Sequence, residues 1–164
     1  MKLSLFGWIL LISQAWAGPL PQPMSIERMA AESDVILCGR VVAKTCQRDE
    51  AGRIYTRVDL EVGEVWKGTV DRNVFPVVFG GGTLGEERHT IAGQVEFAVG
   101  EEVAVFAVLN QRKEGVILAL GQGKFTIIPD AAGRSKSVRS RFHGPGQASL
   151  ALGDLRKRVQ GVLQ

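Results

Sequence analysis

Gly80, Gly82 and Gly85 in the stretch GGGTLG satisfy the spacing G-x-G-x-x-G. In a dinucleotide site those glycines let the backbone approach a pyrophosphate held at a helix N-terminus. That chemistry needs a helix to begin at the glycines. The next residues are instead EERHTIAGQVEFAVG, where Thr90, Ile91, Gly93, Val95 and Val99 suit a loop and extended chain. Glu102, the acidic residue at the right distance, opens a strand rather than closing one. With 20 glycines in 164 residues, such a match is ordinary. We therefore read Gly80, Gly81, Gly82 and Gly85 as structural turn residues, placed where the chain needs φ > 0, and expect no cofactor. A P-loop is ruled out because the Gly-Lys pair, Gly123-Lys124, has no following Ser or Thr and falls inside a strand.

Cys38 and Cys46 bracket GRVVAKT, which carries no turn signal. Extended at ~3.3 Å per residue, that segment holds the sulfurs' backbones ~26 Å apart, against the ~7 Å limit of a disulfide. Two separate thiols are expected. His89 and His143 sit in loops, and with the cysteines they offer no close pair of zinc ligands. A thiol- or His-dependent hydrolase built on Cys38 or His89 is the enzymatic alternative, although no known local signature surrounds either cysteine. Glu101 and Glu102, adjacent on a strand, point to opposite faces and do not converge.

Charge is distributed unevenly. Residues 134 to 158 carry Arg134, Lys136, Arg139, Arg141, Arg156, Lys157 and Arg158 against Asp154 alone, whereas residues 18 to 133 carry 12 cations and 16 anions. Arg134, Lys136, Arg139 and Arg141 are thus candidate partner-binding residues, for an unknown protein or an anionic envelope polymer. The alternative is that the basic tail packs back on its own acidic body. Nucleic acid is not an expected partner. Tyr55, Trp66, Phe75, Phe79, Phe106 and Phe125 lie in apolar surroundings and are read as core rather than as stacking platforms.

These groups need elements to position them. Lys2, the apolar run LSLFGWILLIS and the small residues of AWA make residues 1–17 a secretory signal peptide, cleaved after Ala17. The apolar run is too short for a stable membrane span. The mature protein would begin at Gly18, with residues 18–24 as a linker, and be exported to the periplasm or beyond. Ser25 is a plausible N-cap for a short helix to Asp34. Strands come next over Val35 to Cys46, with a bend at Gly39, and over Ile54 to Gly68. In the latter, Ile54, Thr56, Val58, Leu60 and Val62 share one face, and Arg57, Asp59 and Glu61 the other. The apolar phase slips at Gly63, the mark of a β-bulge. Val74 to Phe79 is a third strand, marked by Pro76 as an edge or a kinked strand, and Gly80 to Gly93 is a long loop. Glu101 to Asn110 and Gly115 to Ile128 form a hairpin. A helix from Ser149 carries Leu152, Leu155, Val159 and Val162 on one face.

Five strands, the first two bent at glycines, suggest a mainly β fold: a five-stranded OB-like barrel over 25–130, with a short N-terminal helix and a C-terminal helix. The basic segment and that last helix make up 131–164. SDVILCGRVV followed by YTRVDLEVGEVWKG resembles the opening of netrin-like or TIMP-like domains, a branch of the OB-fold. FGGGTLG, FAVGEEVAVFAV and LGQGKFTI resemble more specifically the small exported bacterial proteins of that type. The similarity spans roughly Asp34 to Ile128. It implies an OB-fold and does not imply the zinc-chelating mechanism of the tissue inhibitors, which needs an N-terminal cysteine; here the first cysteine is Cys38. The expectation is an exported, non-enzymatic binding or adaptor module. Inhibition of a metalloprotease through the Gly-rich loop is a further alternative.

Overall fold

Ser25 caps the first helix as expected, its hydroxyl oxygen accepting from the Arg28 amide at 3.2 Å. Helix α1 (Ile26–Glu32) comes next and buries Ile26, Met29 and Ala30. It stops at Ser33, whose amide and hydroxyl both donate to the Met29 carbonyl. The structure, a computed structural model, describes residues 23–141 and 149–164. The signal peptide, the first residues of the linker and His143 lie outside them.

Strands β1 (Val35–Arg48) and β2 (Ile54–Lys67) form an antiparallel hairpin. Asp49 closes its turn by accepting from the amides of Ala51 and Arg53. Fourteen residues each is long for one flat layer, and the pair bends through three register shifts. One shift lies at Cys38/Gly39, opposite Glu64/Val62, and leaves Gly63 as the extra residue. The phase slip in the sequence is therefore a bulge. The bend lets β1 serve two neighbours: Val35 to Arg40 also pair with β6 (Glu102–Leu109).

Strand β3 (Val74–Gly80) pairs with β2 along its length, Glu61↔Val74 to Tyr55↔Gly80. Its other side meets β7 (Gly115–Ile117) through one parallel bridge, Val77↔Gly115. Pro76, which has no amide to donate, fits a strand so nearly at an edge.

Two expected segments turn out differently. The stretch expected as a loop from Gly80 contains a small ribbon, β4 (Gly82–Leu84) paired with β5 (Glu87–His89). Gly85 has φ +62 at the first position of its two-residue connection, where a II′-type hairpin turn requires a positive value. The single strand expected from Gly115 to Ile128 is broken. β7 ends at Ile117, a 3₁₀ turn covers Leu118–Gly121, and β8 (Lys124–Pro129) resumes. Both halves pair with β6, β7 at Ala107 to Leu109 and β8 at Val103 to Val105. The glycines of GQGK, Gly121 and Gly123, mark an interruption that the reading as one strand passed over, and the turn itself starts earlier, at Leu118, inside the apolar GVILAL.

The basic segment is part of the sheet. Strand β9 (Lys136–Arg139) pairs with β8, and β10 (Leu150–Ala151) pairs with β9 before α2 (Leu152–Val162). The fold is thus mainly β with two helices, and its large sheet has the order β1-β2-β3-β7-β6-β8-β9-β10, with β6 also paired to β1.

Two apolar clusters lie on the two faces of the central strands. Ile36, Ala104 and Phe106 face α1 and α2, packing with Met29, Phe125, Val138, Leu155 and Val159. Their neighbours Val35, Leu37, Val103 and Val105 face the other way, against Val58, Leu60, Phe75, Val77 and Phe97. Burial on both faces explains why VAVFAV is continuously apolar while β2 alternates.

Candidate binding groove and basic edge

Gly81 and Gly82 have φ +82 and +137, and turn the chain away from β3; Gly80 still belongs to the strand. The Thr56 hydroxyl donates to the Gly81 carbonyl at 2.7 Å and lies 3.3 Å from the Cys46 sulfur, so the thiol donates to it in turn. No space is left above Gly82: a β-carbon there would meet Cys46 Sγ at 2.6 Å and collide with Thr56 Oγ1. The glycines lead into the β4–β5 ribbon, not into a helix whose amides could hold a phosphate.

Cys38 and Cys46 are both free thiols, well separated along β1. Burial, with Glu64 nearby, pushes the Cys38 thiol up to about 12, against the partial opposition of Lys136 and Arg156. At neutral pH it is protonated and a poor nucleophile. It lies in a concavity of about 500 Å³ lined by Arg40, Glu61, Glu64, Glu102 and Lys136. The charges there are largely matched. Arg40 and Lys136 both pair with Glu102, at 2.6 and 2.7 Å, and Arg156 pairs with Glu64 at 2.6 Å. His89 is exposed on β5. Among the described residues, no three of His, Cys, Asp and Glu converge to hold a metal ion.

An open, largely apolar concavity of about 480 Å³ lies on the outer side of β2, β3 and β7. β3 and β7 share only their one bridge, and the gap beyond it forms the groove. Tyr55 projects outward from β2 between the inward-facing Ile54 and Thr56. Val78 does the same on β3, Val116 on β7 between Gly115 and Ile117, and Ile91 comes from the chain after β5. Ile91 and Val116 are each 36% exposed, open for residues of their size. The rim is polar: Asp49, Arg53, His89, Asn110, Arg112 and Glu114. Asp49 is engaged by Arg53, and Glu114 by Arg57 and Asn110. An apolar floor with a few fixed polar groups around it is the general form of a binding site.

Sequence reading missed this groove by assigning Tyr55 to the core. Phe75, Phe106, Phe125 and Trp66 are buried, but Tyr55 and Phe79 are only half-buried. Phe79 points inward and stacks on Phe97, with ring centres 5.9 Å apart. Tyr55 could have been found. By parity it shares the polar face of β2 with Arg57 and Asp59, and an aromatic ring there is out of place.

The four candidate basic residues are not equivalent. Lys136 is neutralised by Glu102. Arg134 occupies the exposed turn that Asp130 closes by accepting from the Arg134 amide and the Ser135 hydroxyl. Arg139 and Arg141 line a small concavity with Lys124 and Thr126. Elsewhere in the tail, Arg158 pairs with Glu27 at 2.6 Å, so the acidic body does take up much of the basic segment's charge. No helix among the described residues is long and apolar enough to cross a membrane. No known protein-family model matches the chain, and no curated protein matches it.

Proposed function

We propose that this protein is an exported, non-enzymatic binding module of OB-like architecture that grips a partner protein in the groove over β2, β3 and β7. The observation that carries the proposal is that groove: Tyr55, Val78, Ile91 and Val116 form an accessible apolar floor framed by charged and amide side chains. OB-folds present ligands to the face of their second and third strands, and β2 and β3 supply most of this floor. The barrel reading draws support from the pairings, which run from β1 through β2, β3, β7 and β6 and return to β1. A binding rather than a hydrolytic role agrees with the protonated state of Cys38 and with the exposed position of His89 on β5. Export rests on the N-terminal sequence.

One experiment tests the whole reading. A photo-crosslinking amino acid is placed at Val116 in the full-length chain, and in a second preparation at Arg28, which is exposed on α1. Both are expressed in the native host and irradiated. The expected result is a discrete adduct with a protein from Val116 and none from Arg28, on a chain whose N-terminus is Gly18. Equal labelling from both sites would rule the groove out. A chain still beginning at Met1 would rule out export.

A further inference from the structure

The cations of the basic segment are not equally compensated. Lys136, Arg156 and Arg158 each reach a carboxylate at 2.6–2.7 Å. The Arg139 side chain has no hydrogen bond or ion pair among the described residues, and that of Arg141 has only a 3.7 Å contact to Glu96, whose side chain is 80% exposed. These two under-compensated arginines line the same concavity of about 210 Å³, between β8, β9 and the chain at Val95 and Glu96.

The strand pairing explains why they meet there. Arg139 lies opposite Thr126, and cross-strand partners share a face, the one turned away from α1 and α2. Arg141, two residues on, comes to the same concavity. Lys124 stands beside them, with its ammonium held by Glu101 and by the Glu96 carbonyl. It adds field rather than a free donor. The Thr126 hydroxyl is likewise spent on Glu101. Glu96 is the one carboxylate free to swing out to water, and its departure would leave both arginines facing the cavity.

We propose that this concavity is a phosphate site, held by Arg139 and Arg141. A carboxylate has two oxygens and is satisfied by one guanidinium, as a bidentate pair. Two arginines beside one small space suit a tetrahedral group with three or four acceptor oxygens, which can take donors from both. The ligand chemistry is a phosphate, either free or within a phosphodiester. The site is separate from the groove over β2, β3 and β7 and does not depend on its occupant.

The test is a titration of the mature protein followed by NMR at the arginine side-chain Nε–H signals, with inorganic phosphate, glycerophosphoglycerol and acetate in parallel. The expected result is saturable movement of the Arg139 and Arg141 signals with phosphate or with the diester, whichever is the better ligand naming the source. Arg139→Gln and Arg141→Gln should each weaken binding by roughly tenfold, the usual loss for a charge-assisted hydrogen bond. Arg134→Gln removes an equal charge from the same segment and should leave binding unchanged. All three positions are exposed, and backbone spectra of the variants check that the fold is retained. Equal weakening by Arg134→Gln would mean charge attraction without a site. Acetate binding as tightly as phosphate, or no saturation by tens of millimolar ligand, would overturn the proposal.

Discussion

Gly82 is where backbone conformation and packing coincide. Its φ of +137 is open only to glycine at low cost, and its Cα faces Cys46 and Thr56 with no room for a methyl group. Gly82→Ala should destabilise the fold by about 2–3 kcal/mol, from strain and overpacking together. Gly85 also has positive φ, but a β-carbon there would meet nothing within 4 Å. Gly85→Ala should therefore cost only about 1 kcal/mol. Urea melts of the two variants measure the difference. Equal losses would show that conformation alone, and not contact with Cys46 and Thr56, sets the requirement at Gly82. The glycine motif is in this sense a packing device.

At the scale of elements, the break between β7 and β8 has a local cost. Ala119 and Leu120 adopt φ +51 and +63, and Leu120 is 56% exposed. A left-handed conformation costs a non-glycine residue about 1–2 kcal/mol. Replacing it with glycine adds about 0.5–1 kcal/mol of unfolded-state entropy. Leu120→Gly should accordingly stabilise the protein by about 0.5 kcal/mol, seen as a higher midpoint in a denaturant melt. A lower midpoint would mean that the exposed leucine contributes contacts outweighing its strain. The turn persists because it returns the chain to β6, where the Phe106 amide donates to the Gly123 carbonyl at 2.8 Å. A side chain on Gly123 would press on Phe106. GQGK in GVILALGQGKFTII announces an interruption, but not that the turn begins at Leu118, within the apolar half.

For the molecule as a whole, stability should depend on acid. Burial works to raise the Glu101 carboxyl, but hydrogen bonds from Lys124 and Thr126 outweigh it and hold the group below the ordinary 4.5. The Lys136 ammonium does the same for Glu102. Backbone donors lower Glu27, helped by Arg158. The Arg53 amide lowers Asp49, and the Ser135 hydroxyl lowers Asp130, from the ordinary 3.8. A carboxylate with a depressed folded pKa contributes stability above its unfolded value and loses it as pH falls through the folded one. The denaturation midpoint should be level above about pH 5 and fall steadily below it. Glu101→Gln should be less stable at neutral pH and show a shallower acid slope. An unchanged slope in that variant would assign the acid response to other groups. Glu101 ties the chain before β6 to β8, through Lys124 and Thr126, so its loss loosens two parts of the sheet at once.

The features that the sequence determined by itself are those written in a short window. Ser25 capping α1, the alternation of β2, the slip at Gly63 and the apolar stripe of α2 depend on residues a few positions apart, so periodicity and turn chemistry reveal them. Tertiary structure decided what depends on partners far along the chain. It made β6 a strand buried on both faces, broke the run after Ile117, and turned Lys136 to Arg139 into a paired strand. It also brought Tyr55, Val78, Ile91 and Val116 to one groove, and Arg139 and Arg141 to another. Side chains meet across a sheet by register, and register is fixed by which strands pair, a choice made by the burial of the whole core rather than by any local run of residues.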